Sequence, residues 1–232
     1  MSDVELQKKL SGEAAAALVQ DGMTVGLGTG STAAYLVKAL GGRAKVEGLK
    51  LRCVATSEAT AALAASLGLV LAELDEVGSI DLTIDGADEI GPGLALIKGG
   101  GAALLREKLV WEASKRCVVI ADAAKTVATL GKFPLPIEVV PFGHKTTALR
   151  ICDALAEADI GVGPRLRIKD GAPVRTDGGH FIYDAPCGVI ADPSLLADAL
   201  KSVTGVVDHG LFLGMADEAI LGTDKGVQRL LP

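Results

Sequence analysis

Leu6, Leu10, Ala14 and Leu18 recur at helical spacing behind Ser2 and Glu5, a pair with the spacing of a capping box, and predict a first helix ending near Gln20. Short apolar runs at 24–27, 51–55, 69–71, 80–84, 95–98 and 117–121 predict strands, and patterns at 32–40, 58–66 and 102–113 predict the helices between them. Strands alternating with helices need both faces of a sheet covered, so the fold expected is α/β with a doubly wound, mainly parallel sheet.

Near Leu130 the texture changes. Gly131-Lys132-Phe133-Pro134-Leu135-Pro136 leads into an apolar strand ending at Val140, a helix at 146–157, two strands broken by Asp177-Gly178-Gly179, and a helix at 193–203. The order β-α-β-β-α predicts a second, smaller α+β domain. The apolar runs at 206–221 are expected to rejoin the first sheet. The domains expected are therefore 1–130 plus 206–232, and 131–205.

A chain of 232 residues buries about 70% of its unfolded surface. Aromatic residues make up only 3% of it against 49% apolar overall, so Ala, Val, Leu and Ile must fill the core. A net charge of −6 leaves no positive excess to track a phosphate backbone, so nucleic acid is not an expected partner. Cys53, Cys117, Cys152 and Cys187 form no C-x-x-C pair and read as small buried hydrophobes in a reducing compartment. No apolar run reaches the length of a membrane span, and Met1-Ser2-Asp3-Val4-Glu5 lacks a basic-then-apolar export pattern. The expectation is a cytoplasmic protein with no membrane partner.

Four segments carry candidate chemistry. Gly26-Leu27-Gly28-Thr29-Gly30-Ser31-Thr32 lies between a strand and a helix, where backbone N–H groups, the helix dipole and three hydroxyls suit a phosphate. A dinucleotide fits less well: Ser31 stands where G-x-G-x-x-G requires glycine, and no acidic residue ends the strand at Ala55-Thr56. Asp85-Gly86-Ala87-Asp88-Glu89 sets three carboxylates at a strand's carboxyl end, the edge where open α/β sheets bind ligands; an acidic surface turn is the alternative. His144, His180 and His209 stand alone, and no metal is expected.

Lys98-Gly99-Gly100-Gly101 joins a strand to a helix and can turn several N–H groups, beside a lysine, toward an oxyanion. Glu107 follows about two turns into that helix, on the side away from Leu105 and Leu109, which are expected to face the core. By itself Arg106-Glu107-Lys108 is the pattern of a solvated helix face far more often than of a site. Ala121-Asp122-Ala123-Ala124-Lys125 again follows a strand and brings a lysine to the same edge. All four segments are expected at the carboxyl ends of consecutive strands, where such sheets assemble a site.

The ordered set GLGTGSTA, DGADE, IKGGGAALLREK, IADAAK and GKFPLPIEVVP, running from the first helix to GVVDHGLF, resembles ribose-5-phosphate isomerase of the A type. The resemblance implies a Rossmann-like domain with a smaller ferredoxin-like one. It implies interconversion of ribose 5-phosphate and ribulose 5-phosphate in the non-oxidative pentose phosphate pathway, without metal or nucleotide cofactor, by a homodimer or homotetramer. It makes Glu107 the general base. Substrate contacts fall on Thr29, Gly30, Ser31 and Thr32 for the phosphate, on Asp85, Gly86, Ala87 and Asp88, on Lys98, Gly99, Gly100 and Gly101, and on Lys125. Asp85, Asp88 and Lys98 also take part in the chemistry, and Lys8 is a further candidate for the phosphate. Thr176-Asp177-Gly178-Gly179-His180 departs from the family's usual Thr-Asp-Asn-Gly-Asn. Coenzyme A transferases and sugar-phosphate-sensing regulator domains on similar folds are the alternatives.

Overall fold

The computed structural model describes residues 3–232; Ser2, the first member of the expected capping box, lies outside them. In chain order the elements begin with α1 (Asp3–Ala16), β1 (Thr24–Leu27), α2 (Ser31–Glu47), β2 (Arg52–Ala55), α3 (Glu58–Ser66), β3 (Val70–Leu71) and β4 (Leu82–Gly86). There follow β5 (Glu89–Ile90), β6 (Leu96–Ile97), α4 (Leu104–Glu112), β7 (Cys117–Asp122), β8 (Leu135–Val139) and α5 (His144–Glu157). The last are β9 (Arg165–Leu166), β10 (Ile168–Lys169), β11 (Ala172–Pro173), β12 (Phe181–Ala185), α6 (Pro193–Lys201), β13 (Val206–His209), β14 (Leu211–Phe212), β15 (Glu218–Thr223) and β16 (Gly226–Leu230). Two compact units result, Met1–Ala87 with Arg106–Lys125 and Met215–Pro232, and Asp88–Leu105 with Thr126–Gly214.

The first unit holds a seven-stranded sheet in the order β16-β15-β7-β4-β1-β2-β3. All pairs are parallel except β15 with β16. Sequence order reverses between β1 and β4, which is the switch point of a doubly wound sheet, and ligands settle outside the carboxyl ends of strands at such a point. Leu36, Val37 and Leu40 of α2, Ala15 and Ala16 of α1 and Ala64 of α3 pack on Val25, Leu27, Ile84 and Ile120 of the sheet. Val110 of α4 packs with Val54 and Ile80 in a separate cluster. Each fully buried Leu, Ile or Val stabilises by about 1.5–3 kcal/mol, so an aromatic-poor chain can still build this core.

The second unit contains β8-α5-β9-β12-α6-β13, with the antiparallel sheet ordered β13-β8-β12-β9. This is the split β-α-β arrangement of ferredoxin-like folds. Alternation decides which face is apolar: Leu135, Ile137 and Val139 of β8 join Tyr183 and Ala185 of β12 beneath Ile151, Leu155, Leu196 and Leu200 of the two helices.

Three expectations change. Residues 95–98 were assigned to the parallel sheet, but β6 pairs antiparallel with β5 and β14 in a three-stranded sheet. Of 206–221, only β15 joins the large sheet, because β13 completes the small one and β14 extends β6. Residues 88–105, 126–130 and 206–214 accordingly group with the second unit, where the expected boundaries had put them in the first. Two-residue strands carry too little pattern to announce their partners.

Candidate active site

The first unit brings three of the four segments to neighbouring strands. The glycine-rich loop leaves β1, Asp85 and Gly86 end β4, and the turn Ala123–Lys125 follows β7, with the strands adjacent in the order β7-β4-β1. Asp85 is buried, and its Oδ1 accepts the N–H of Thr29 (2.9 Å) and of Gly86 (2.7 Å). A Cβ at Gly28 would overlap that carboxylate, so only glycine admits the close approach of the two loops.

Gly30, at φ +103°, caps α2 without any side-chain cap, leaving the first turn of a 17-residue helix to meet an anion with backbone donors. Ser31 is exposed and Thr32 half-buried. Thr29 is different. Its hydroxyl donates to Ser57 Oγ (2.8 Å), Ser57 donates to Thr60 Oγ1 (3.1 Å), and Thr60 donates to the carbonyl of Gly28 (2.9 Å). With its N–H on Asp85 and its one hydroxyl proton in this chain, Thr29 holds the loop in shape, and the loop's other hydroxyl donors are the exposed Ser31 and the half-buried Thr32. The residues Thr56, Ser57 and Thr60 behind the loop were not singled out from sequence, although Ser57 also caps α3 through the N–H of Thr60.

Glu107 lies in the first turn of α4, which starts at Leu104 and not at 102, because Ala102 adopts φ +58° and cannot continue a helix. The expected facing is reversed. Leu104, Glu107, Lys108 and Trp111, at the spacing i, i+3, i+4, i+7, are buried, whereas Leu109 is 46% exposed. Glu107 is only 3% exposed, so it is not a solvated surface glutamate. Lys125 is half-buried on its turn. Lys8 is paired with Glu5 (2.8 Å), whose other oxygen accepts from Tyr35 (2.8 Å); the Lys8 and Tyr35 hydrogen bonds hold the Glu5 carboxyl below the usual carboxylate range. A cavity of about 510 Å³, lined by Ala55, Ser57, Leu71, Arg106 and Val110 among others, opens at the ends of β2 and β3.

The second unit carries the rest. Lys98 is 2% exposed, with Nζ 5.3 Å from the ring centre of Phe212, and its N–H donates to the carbonyl of Gly210 (2.9 Å). Gly99 has φ +103°. The N–H of Gly100, expected to face an oxyanion, instead donates to Asp88 Oδ2 (2.8 Å). Glu89, the third carboxylate of its turn, is buried and accepts the N–H groups of Gly131 (2.7 Å) and Phe133 (2.6 Å), which makes it a loop anchor. Because β6 lies outside the large sheet, the lysine–glycine segment does not leave that sheet's edge as expected; it belongs to the three-stranded sheet.

The departing segment Thr176 to His180 closes a turn at Gly179 (φ +82°), and Thr176 Oγ1 (2.8 Å) and His180 Nδ1 (2.9 Å) both bond Oε1 of the buried Glu138.

Residues 52–226 match the family described as ribose 5-phosphate isomerase A (phosphoriboisomerase A). Over 226 residues, covering 97% of this chain and 98% of the relative, the sequence is 70% identical to ribose-5-phosphate isomerase A of Caulobacter sp. (strain K31). It is 53% identical over 221 residues, 95% of each chain, to that of Parvibaculum lavamentivorans. A solved D-ribose-5-phosphate isomerase in complex with phospho-erythronic acid superposes with TM-score 0.92 over 100% of both chains at 38% identity. The Methanocaldococcus jannaschii ribose 5-phosphate isomerase A gives 0.88 at 38% identity, covering 97% of this chain and 98% of the other. With a family match over most of its length and relatives this similar across nearly all of it, the chain belongs to the ribose 5-phosphate isomerase A family.

Proposed function

We propose that the protein is an aldose–ketose isomerase that interconverts D-ribose 5-phosphate and D-ribulose 5-phosphate, a step of the non-oxidative pentose phosphate pathway, with Glu107 as the proton shuttle. Family membership supports the reaction, and the burial of Glu107 at the start of α4 is the observation that carries the assignment of the base.

In the open-chain aldose, Glu107 removes the proton from C2, and the electron pair forms the C1–C2 double bond of a cis-enediol as the C1 carbonyl oxygen takes up a proton. Glu107 then returns its proton to C1 while the O2 proton leaves, giving the C2 ketone. A base shielded from water keeps the abstracted proton for return, and a positioned general base contributes typically 10²–10⁴-fold. The enediol stage gathers negative charge on oxygen, where the Lys98 ammonium and the backbone donors of its glycine loop oppose it. Asp85 and Asp88 handle hydroxyl protons and ring opening, and Gly86, Ala87 and Lys125 complete the substrate contacts. The phosphate is held by backbone N–H groups and the Ser31 and Thr32 hydroxyls at the start of α2, with Thr29 shaping the loop and Lys8 adding charge.

The same reading makes it a cytoplasmic homodimer or homotetramer. Among the described residues no helix is long and apolar enough to cross a membrane. Sedimentation velocity measures the assembly. The reading is tested by following ketose formation from ribose 5-phosphate with Glu107→Gln beside the unaltered protein. Loss of turnover with retained substrate binding is expected; an equally active variant would refute the assignment.

A further inference from the structure

Arg167, which the sequence reading did not single out, sits in β12's neighbourhood with its main-chain N–H donated to the carbonyl of Ile182 (2.8 Å). Its guanidinium is gripped by Asp184 on two sides, Nε to Oδ2 (2.8 Å) and Nη2 to Oδ1. The remaining Nη1 donates to two consecutive carbonyls, those of Gly99 (3.0 Å) and Gly100 (3.1 Å). In a trans peptide the C=O and N–H point in opposite directions. Two carbonyls drawn to one nitrogen therefore turn the N–H groups of Gly100 and Gly101 away from Arg167. That of Gly100 reaches Asp88 Oδ2 (2.8 Å).

We infer that Arg167 and Asp184 are positioning residues that orient Asp88 and the glycine loop for isomerisation. The link is an unbroken chain: Asp184 fixes the guanidinium, the guanidinium fixes the Gly99–Gly100 peptide, and that peptide's N–H fixes the Asp88 carboxylate. A tripeptide of glycines has the most backbone freedom of any sequence, so without an external clamp it would sample many arrangements. Neutral carbonyls do not need a cation to be satisfied, since water serves as well. A half-buried bidentate Arg–Asp pair turned on two adjacent peptide oxygens is thus best explained by what those peptides do on their other edge. The positive charge also polarises both peptides, strengthening their N–H groups as donors toward negative oxygen. A lysine could not reproduce the fork, being a single point charge.

The inference rests on the isomerase reading above. It is tested with Arg167→Lys, Arg167→Ala and Asp184→Asn beside the unaltered enzyme, measuring kcat and KM for ribose 5-phosphate, the inhibition constant of inorganic phosphate, and the thermal midpoint. Misplacement of catalytic groups by about 1 Å costs on the order of 100-fold. Both arginine variants should lose about 10- to 100-fold in kcat, with phosphate inhibition within about twofold of normal, since the phosphate grip lies on other residues. Methylguanidinium should restore part of the Arg167→Ala activity. A kcat within about threefold of normal in Arg167→Lys and Arg167→Ala would overturn the inference, as would a loss that methylguanidinium leaves unchanged and that phosphate inhibition and thermal midpoint follow in parallel. Unaltered protein inactive toward ribose 5-phosphate would instead refute the isomerase reading itself, and this inference with it.

Discussion

Asp85 accepts the backbone N–H of Thr29 at 2.9 Å, and through that bond the carboxylate turn ending β4 helps to fix the start of the glycine-rich loop that leaves β1. The two strands flank the switch point of the sheet, so the pairing is a consequence of topology as much as of local sequence. The loop's shape depends on a buried carboxylate, and the tolerance of nearby glycines follows from it.

Gly28→Ala is expected to destabilise the protein by about 2 kcal/mol or more, because its Cβ would overlap Asp85 and force both loops apart. Gly42→Ala is the matched control: Gly42 lies exposed within α2 with nothing near its would-be Cβ, and alanine there should stabilise by about 0.5–1 kcal/mol. Urea unfolding of the two variants measures both signs.

Ser31 and Thr29 should separate by kinetics. Ser31→Ala removes an exposed hydroxyl donor and is expected to raise KM and the inhibition constant of inorganic phosphate several-fold while leaving the thermal midpoint in place. Thr29→Val breaks the hydroxyl chain to Ser57 and Thr60, so it should lower stability by about 1–3 kcal/mol together with affinity. Calorimetric melting and phosphate inhibition, measured on both, decide it.

His180→Ala takes one of two partners from Oε1 of Glu138, a carboxylate only 1% exposed. The expected cost is about 1–3 kcal/mol of stability with kcat little changed, since the pair lies in the small sheet's turn. A variant with normal denaturation and lost activity would contradict this structural role.

Burial pushes the Cys53 thiol up to about 12. A raised thiol pKa favours the neutral folded form, so the thiolate that alkylating reagents attack is scarce in the native protein until pH approaches that value. Iodoacetamide at pH 8.5 should leave Cys53 unmodified in native protein and modify it in denaturant, as peptide mass mapping would show. Rapid native modification would contradict the buried placement.

The alternation of short strands and helices was legible because the apolar runs, that at 95–98 apart, supply the buried strands of the parallel sheet; β1 and α3 have the very bounds the pattern predicts. Three of the four candidate segments were legible as loops following strands of the large sheet, β1, β4 and β7; the lysine–glycine segment was not, because β6 lies outside that sheet. The facing of α4 was not. Its buried side carries Glu107 and Lys108 while Leu109 faces outward, so hydrophobic phasing gives the wrong side: a helix that buries charged residues breaks the rule that apolar ones mark its inner face. The strand β6 was misassigned because its partner β14 lies more than a hundred residues away. Arg167 was invisible for a similar reason: Arg165-Leu166-Arg167-Ile168-Lys169 reads as an ordinary polar strand, and only its reach to Gly99 and Gly100 sets it apart.

The central claim is that Glu107 moves one proton between C2 and C1 of ribose 5-phosphate. Chelator-treated protein incubated with the sugar in deuterated water tests it most directly, with Glu107→Gln run alongside and the products read by proton NMR. The account predicts ribulose 5-phosphate carrying at most one deuterium at C1, formed by the unaltered enzyme and lost by about 10²–10⁴-fold or more in the variant. Ketose formation at a similar rate by Glu107→Gln, or none by the unaltered protein, would contradict it.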